Sequence, residues 1–311
     1  MQTSHEFEKY LVCNAPDKQW ILQKIIQLLD NEGVIPAFSS SIIKLGRLTR
    51  DPGASMEDIK DVIEMDPGLS SDCVQVASTV GFAARRISSI KQALMYIGMR
   101  EIQRIAFTVG VMKKFDNFKG IVDWDKFWLH SVLVARLTEK VAGAYRENTG
   151  AEYLAGLLHD CGKLFLERYF PEEFNAIIIA SQKHKRGHVL VEKKIIGVTH
   201  AQVGGAICES LQTHIEVIWA VWHHHGPFNA SFGRKRTDNS KFLAACVSVG
   251  DALANYTQAN IAGARIMDEN IPYDQLPEWK FLSQYRMTYG LELDLEAELS
   301  EAQADMMAFN S

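Results

Sequence analysis

Apolar residues recur along this chain at intervals of three and four, and no segment alternates convincingly with the two-residue period of a strand. That regularity restricts the chain to an all-α fold. Turn chemistry divides the pattern. DPGAS (51–55) reads as a turn, and Ser55 with Asp58 three residues on has the form of a capping box, with Asp in place of Glu or Gln. Met56, Ile59, Val62 and Ile63 follow at helical spacing until Asp66-Pro67-Gly68 stops them. Ile90, Ala93, Leu94 and Ile97 form the next apolar face, closed by Gly98, and Ile102, Ile105, Ala106 and Val109 form another. Leu291 to Met307 is amphipathic near the C-terminal end.

The second feature is polar, and it lies on the apolar stripes. Phe127, His130, Val134, Leu137 and Val141 share one helix face, so His130 points inward. His200 shares a face with Val203, Ile207 and Leu211, and Asp251 with Ala244, Val247 and Ala254. Leu154, Leu157 and Leu158 lead directly into His159-Asp160. One buried His or Asp is usually a hydrogen-bonded core residue. Four helices that each carry one, two of them with a carboxylate that is costly to bury alone, point to a shared site. With His224-His225 added, the series holds five of the ten histidines and two carboxylates. Imidazole and carboxylate together suit Fe, Mn or Zn, and seven ligands exceed the needs of one tetrahedral ion. The spacing therefore predicts room for two divalent ions, Fe or Mn favoured and Zn admissible. Their affinity should fall as pH drops through about 6.5, where imidazoles take up protons.

Composition excludes several classes. The chain has 311 residues, 47% hydrophobic and 23% charged, an ordinary globular balance with enough length for a substantial core. A net charge of -5 provides no basic field for nucleic acid. The short basic clusters KHKRGH (183–188) and GRKR (233–236) lack stacking aromatics and read as solvated loops or helix ends, so His184 and His188 are left out of the metal set. No stretch is long enough to span a bilayer, and the acidic N-terminus does not read as a secretory signal. Cys13, Cys73, Cys161, Cys208 and Cys246 are scattered without a CxxC, as expected of reduced, mostly buried thiols in a cytoplasmic protein. No histidine lies between His5 and His130, so metal chemistry is not expected of the first part of the chain.

AGLLHDCGKL (155–164) resembles the signature of the HD superfamily of metal-dependent phosphohydrolases. IPAFSSSIIKL (35–45), DIKDVIEMDPGLSSDCVQVAST (58–79), ISSIKQALMYIGMREIQRIAF (87–107), FWLHS (127–131), THAQVGG (199–205) and AVWHHHGP (220–227) together resemble an HDOD domain, over roughly Gly33 to Asp251. The resemblance implies two packed helical bundles, the second HD-like. It suggests a lead-in over 1–32, an N-terminal bundle over 33–118, an HD-like bundle over 119–256 and a C-terminal helical extension over 257–311.

By the same resemblance His130 matches the first HD histidine, His159 and Asp160 the doublet, and Asp251 the closing aspartate. His200, His224 and His225 match further ligands of the related HD-GYP phosphodiesterases, leaving His223 as the spare member of its triplet. Lys163 matches the HDxGK lysine, which contacts phosphate in that group. Two departures stand out. The chain reads GPFNASFG where HD-GYP enzymes carry a DGxGYP-like loop, and Lys126 replaces the glutamate that supplies a third metal in some of them.

Two functions are implied. One is a bacterial signal-transduction module whose N-terminal bundle meets a signalling protein partner. The other is a phosphohydrolase or phosphodiesterase acting on a nucleotide or other phosphoester, with Asp160 and Lys163 as its catalytic residues. Neither implies a nucleic-acid or membrane partner.

Overall fold

Pro67 both ends one helix and begins the next. The helix before it closes at Glu64, and the following helix starts at the proline, whose missing N–H is needed by no bond at a first helical position. Asp66 supports the new helix by accepting from the Leu69 N–H at 3.1 Å. The capping box at Ser55 is present in both directions, Asp58 N–H to Ser55 Oγ at 3.2 Å and Ser55 N–H to Asp58 Oδ2 at 2.8 Å. Gly98 ends its helix at φ 86°, where a side chain would be strained.

The computed structural model describes residues 16–31, 39–48, 51, 53–79, 87–116, 123–226, 237–257 and 275–309. Among these are sixteen α-helices and no strand. The first six are α1 (Gln19–Asp30), α2 (Ser40–Leu48), α3 (Met56–Glu64), α4 (Pro67–Thr79), α5 (Ile90–Ile97) and α6 (Met99–Phe115). The next eight are α7 (Trp124–Gly143), α8 (Ala151–Leu158), α9 (Cys161–Tyr169), α10 (Pro171–His184), α11 (His188–Ile195), α12 (His200–Ser210), α13 (Ile215–His223) and α14 (Asp238–Tyr256). The chain closes with α15 (Pro277–Leu282) and α16 (Leu295–Phe309). Cys13, the expected boundary at 118/119, the loop beyond Gly226, the GRKR cluster and residues 258–274 lie outside the described residues.

α7 is the axis of the larger helix group. It packs along α14 and α8, while α13 joins α8, α12 and α14, and α9 lies on α12. Fourteen of the twenty residues of α7 are buried, including Arg136 and Glu139, so the helix must satisfy charge as well as apolar surface. Glu139 receives the Arg104 guanidinium of α6 at 2.6–2.7 Å. Arg136 meets Glu298, Glu301 and Asp305 of α16. α16 also touches α4, so the C-terminal helix clasps both helix groups. A buried hydrogen bond between the hydroxyls of Thr108 and Tyr153, 2.8 Å long, ties α6 to α8.

One apolar core runs through all these layers, from Ile21 in α1 to Ala308 in α16. Cys73, Cys161, Cys208 and Cys246 are buried free thiols within it. None of the described helices is long and apolar enough to cross a membrane.

Candidate metal centre

The ligand-type residues sit at helix ends, where backbone direction changes and side chains can converge. His159 is the C-terminal cap of α8, and Asp160 immediately precedes α9. His200 opens α12, and His224 caps α13. His130 and Asp251 instead lie inside the long helices α7 and α14, which pack along each other. Close backbone approach makes the convergence possible. A Cβ added at Gly162 would lie 2.0 Å from the His200 carbonyl oxygen, so α9 seats directly on the start of α12. One added at Gly250, next to Asp251, would lie 2.7 Å from Thr138 Oγ1 of α7.

These contacts bring all seven candidates together. Oδ1 of Asp160 is 3.2 Å from Nε2 of His200 and 3.9 Å from Nε2 of His224, while its Oδ2 is 3.4 Å from Nε2 of His159. Oδ1 of Asp251 lies 3.3 Å from Nε2 of His130 and 4.0 Å from Nε2 of His159. Nε2 of His200 and of His225 are 3.0 Å apart. Two groups of ligand atoms lie within 4.8 Å of one another, Asp160 with His200, His224 and His225, and Asp160 with His130 and His159. Asp160 belongs to both. His223 belongs to neither; its ring stacks on Trp219, centroids 5.0 Å apart. All the candidates are buried except His225, which is half-buried.

The hydrogen bonds set the direction of the rings. Nδ1 of His159 lies 2.7 Å from the Gly156 carbonyl, and Nδ1 of His224 lies 2.7 Å from that of Val221. A carbonyl oxygen only accepts, so each of these Nδ1 atoms carries the ring proton. Nε2 of both rings, which makes no hydrogen bond, is the atom turned towards Asp160. His200 has the same orientation, its Nδ1 being 2.7 Å from Oε1 of Glu192. Oriented imidazoles with Nδ1 anchored behind and Nε2 aimed inward are the arrangement metal-binding histidines require. The spacings agree. Two donors each ~2.1 Å from one octahedral ion sit ~3.0 Å apart, close to the separations here. The donor set fits a divalent metal.

Electrostatics supports a charged Asp160 and neutral rings at His224 and His225. Burial would raise the Asp160 carboxyl, but the neighbouring His159, Lys163 and His200 hold it well below the usual range. Burial pushes His224 down to about 3, with His159 and His200 charge acting in the same direction. Burial and the His224 charge hold His225 well below an ordinary histidine. His200 differs. Burial lowers it, yet Glu192 carries it up to about 9. Lys163 is buried, with Nζ 2.5 Å from Oδ2 of Asp160.

Two residues of this neighbourhood were not singled out in the sequence. Glu192 is fully buried and accepts from both the His200 N–H (2.9 Å) and its Nδ1. His188, set aside with the basic cluster, is buried and neither ring nitrogen makes a hydrogen bond, whereas His184 is exposed as expected. The signal for both was their four-residue spacing, which places them on one face of α11.

Residues 35–227 match the HDOD domain. The fold is similar to an HDOD domain protein of unknown function from Geobacter sulfurreducens, with TM-score 0.72, 21% identity, and coverage of 94% of this chain and 96% of that one. It is also similar to a provisionally assigned signal transduction protein from Marinobacter aquaeolei VT8, with TM-score 0.69, 19% identity, and coverage of 98% and 69%. An uncharacterised protein of Treponema pallidum (strain Nichols) is 24% identical over 269 residues, 85% of this chain; the chain spans about half (48%) of that relative's length. The chain belongs to the HDOD domain family.

Proposed function

We propose that this HDOD chain is a cytoplasmic bacterial signal-transduction module whose HD-like bundle holds two divalent ions, Fe or Mn in preference to Zn. His130, His159, Asp160 and Asp251 would hold the first ion and His200, His224 and His225 the second, with Asp160 within reach of both. The observation that carries this reading is the position of Asp160, within ligand distance of both histidine groups. Burial favours the regulatory role. Six of the seven ligands are at most 3% exposed, and Lys163 is engaged by Asp160. A closed surround suits ions kept as part of the fold, whereas a catalytic site keeps a position open to exchange. The partner surface is assigned to residues 58–109, which lie away from the metal ligands in sequence, and the partner is a signalling protein.

The shared carboxylate also supports a second reading, a phosphohydrolase or phosphodiesterase for a nucleotide or other phosphoester. Bound ions there would supply an acidified water and neutralise phosphoryl charge. Asp160 would position the two ligand groups about one reaction centre. Lys163 Nζ would exchange its contact with Asp160 for a phosphoryl oxygen and stabilise the charge that develops there.

The test is turnover by the metal-loaded full chain on bis(p-nitrophenyl) phosphate and p-nitrophenyl phosphate, beside Asp160→Ala. The module reading expects bound metal with no turnover above the variant. Turnover that Asp160→Ala abolishes overturns it in favour of the hydrolase.

A further inference from the structure

Three helices that end in metal-ligand candidates also reach one cavity at their other ends. α8 begins at the cavity with Ala151 and Leu154 and ends at His159. α13 begins there with Ile215 and Val217 and ends at His224. α12 runs in the opposite sense, from His200 to the cavity residues Leu211 and Gln212. At 1.5 Å per residue, these helices place the cavity and the centre ~12–17 Å apart, joined by rigid rods.

The cavity has a volume of about 340 Å³, within the range that holds small organic ligands. Its remaining wall comes from α2 and α6, through Ile42, Ile43 and Phe107. It therefore lies where the N-terminal helices meet the metal-ligand helices. The lining is mainly apolar, and its one full-time cation is Arg47, with no carboxylate among the described lining residues. Arg47 is exposed and has no ion-pair partner among the described residues. Gly46 beside it leaves space that a side chain would take up, since an added Cβ meets nothing within 4 Å.

We infer that this cavity is an input site for a small apolar molecule with a single anionic group. The apolar body fills the space between α2, α6, α8 and α13, and the anion pairs with Arg47. Occupancy fixes the starts of α8 and α13 against α2 and α6, and so changes how firmly His159 and His224 are held at their far ends. The binding step does not depend on the metal reading; only the coupling does.

Decanoate, a C10 carboxylate used below its aggregation concentration, is the probe, and calorimetry on the full chain is the measurement. Wild type should bind one decanoate per chain. Gly46→Phe, which fills the cavity from a helical position with open space, should weaken binding at least tenfold while leaving the helix content and the melting temperature intact. Arg47→Gln should weaken decanoate several-fold but leave decanol unchanged. Asp160→Ala should bind decanoate as metal-free wild type does. Absence of decanoate binding, or equal binding by Gly46→Phe, overturns the site. Coupling predicts that decanoate changes Mn(II) affinity and that Mn(II) changes decanoate affinity by the same factor; binding without that reciprocal shift overturns the coupling alone.

Discussion

Glu192 Oε1 lies 2.7 Å from Nδ1 of His200, and the same ring places Nε2 3.2 Å from Oδ1 of Asp160. The buried carboxylate of α11 thus fixes the far side of a ring whose near side faces the shared aspartate. Metal-binding histidines depend on such a partner for orientation and basicity.

Glu192→Gln keeps the shape of the side chain and removes the charge. We expect Mn(II) affinity to fall about 10–100-fold, the usual effect of losing an outer partner. Competition against a chelator measures it. Unchanged affinity would mean that the Glu192–His200 pair serves the fold alone.

Proton linkage follows from the same pair. With His200 carried up to about 9, the metal-free ring holds a proton at neutral pH that a metal must displace. Apparent affinity should therefore rise up to about tenfold per pH unit from pH 7 towards 9 and then level off. This window is higher than the value of about 6.5 expected for ordinary imidazoles. In the metal-free protein the sign is opposite, because the raised folded-state value stabilises the fold below about 6.5 and that stabilisation is lost as pH climbs through about 9. Calorimetry of Mn(II) binding at pH 7 in buffers of different ionisation enthalpy should show about one proton released, and Glu192→Gln should release less.

Much of this centre was legible because the period of 3.6 residues reports which face is buried. His130, His200 and Asp251 each sit within an apolar stripe, and all three are buried. Asp58, Gly98 and Pro67 marked helix ends through capping, left-handed backbone and a missing donor. Glu192 was not legible in that way. Its neighbours Lys193 and Lys194 are exposed, and its inward direction depends on the turn at Gly197, φ 81°, that brings Glu192 to the start of α12. His188 was hidden for a related reason. Lys183 to Arg186 are solvated, but α11 begins directly after Gly187 and turns the next side chain inwards. For the His223–His225 triplet, periodicity could not choose a register, since α13 ends at His223 and the next two residues lie in a turn.

Arg136 meets Glu298, Glu301 and Asp305, two of which are less than a tenth exposed, and Lys140 shares Glu298. Arg136→Ala should cost about 3–5 kcal/mol at pH 8, because the buried Asp305 carboxylate would be left without its partner. Burial already pushes Asp305 up to about 6 despite Arg136. For an acid raised in this way, stability falls as pH rises from about 3.8 through about 6. Removing Arg136 raises the carboxyl further, so the loss should be smaller at pH 5 than at pH 8. Thermal melts at the two values check it, and an equal loss at both would show that Arg136 acts by packing alone.

The central claim is that one carboxylate joins two groups of histidines into a paired metal centre. Elemental analysis of the purified full chain after Mn or Fe loading, beside Asp160→Ala of matched secondary structure, tests it most directly. The account predicts about two ions per chain in the wild type and loss of both in the variant. A wild type that holds no stoichiometric metal, or an Asp160→Ala variant that keeps both ions, would contradict it.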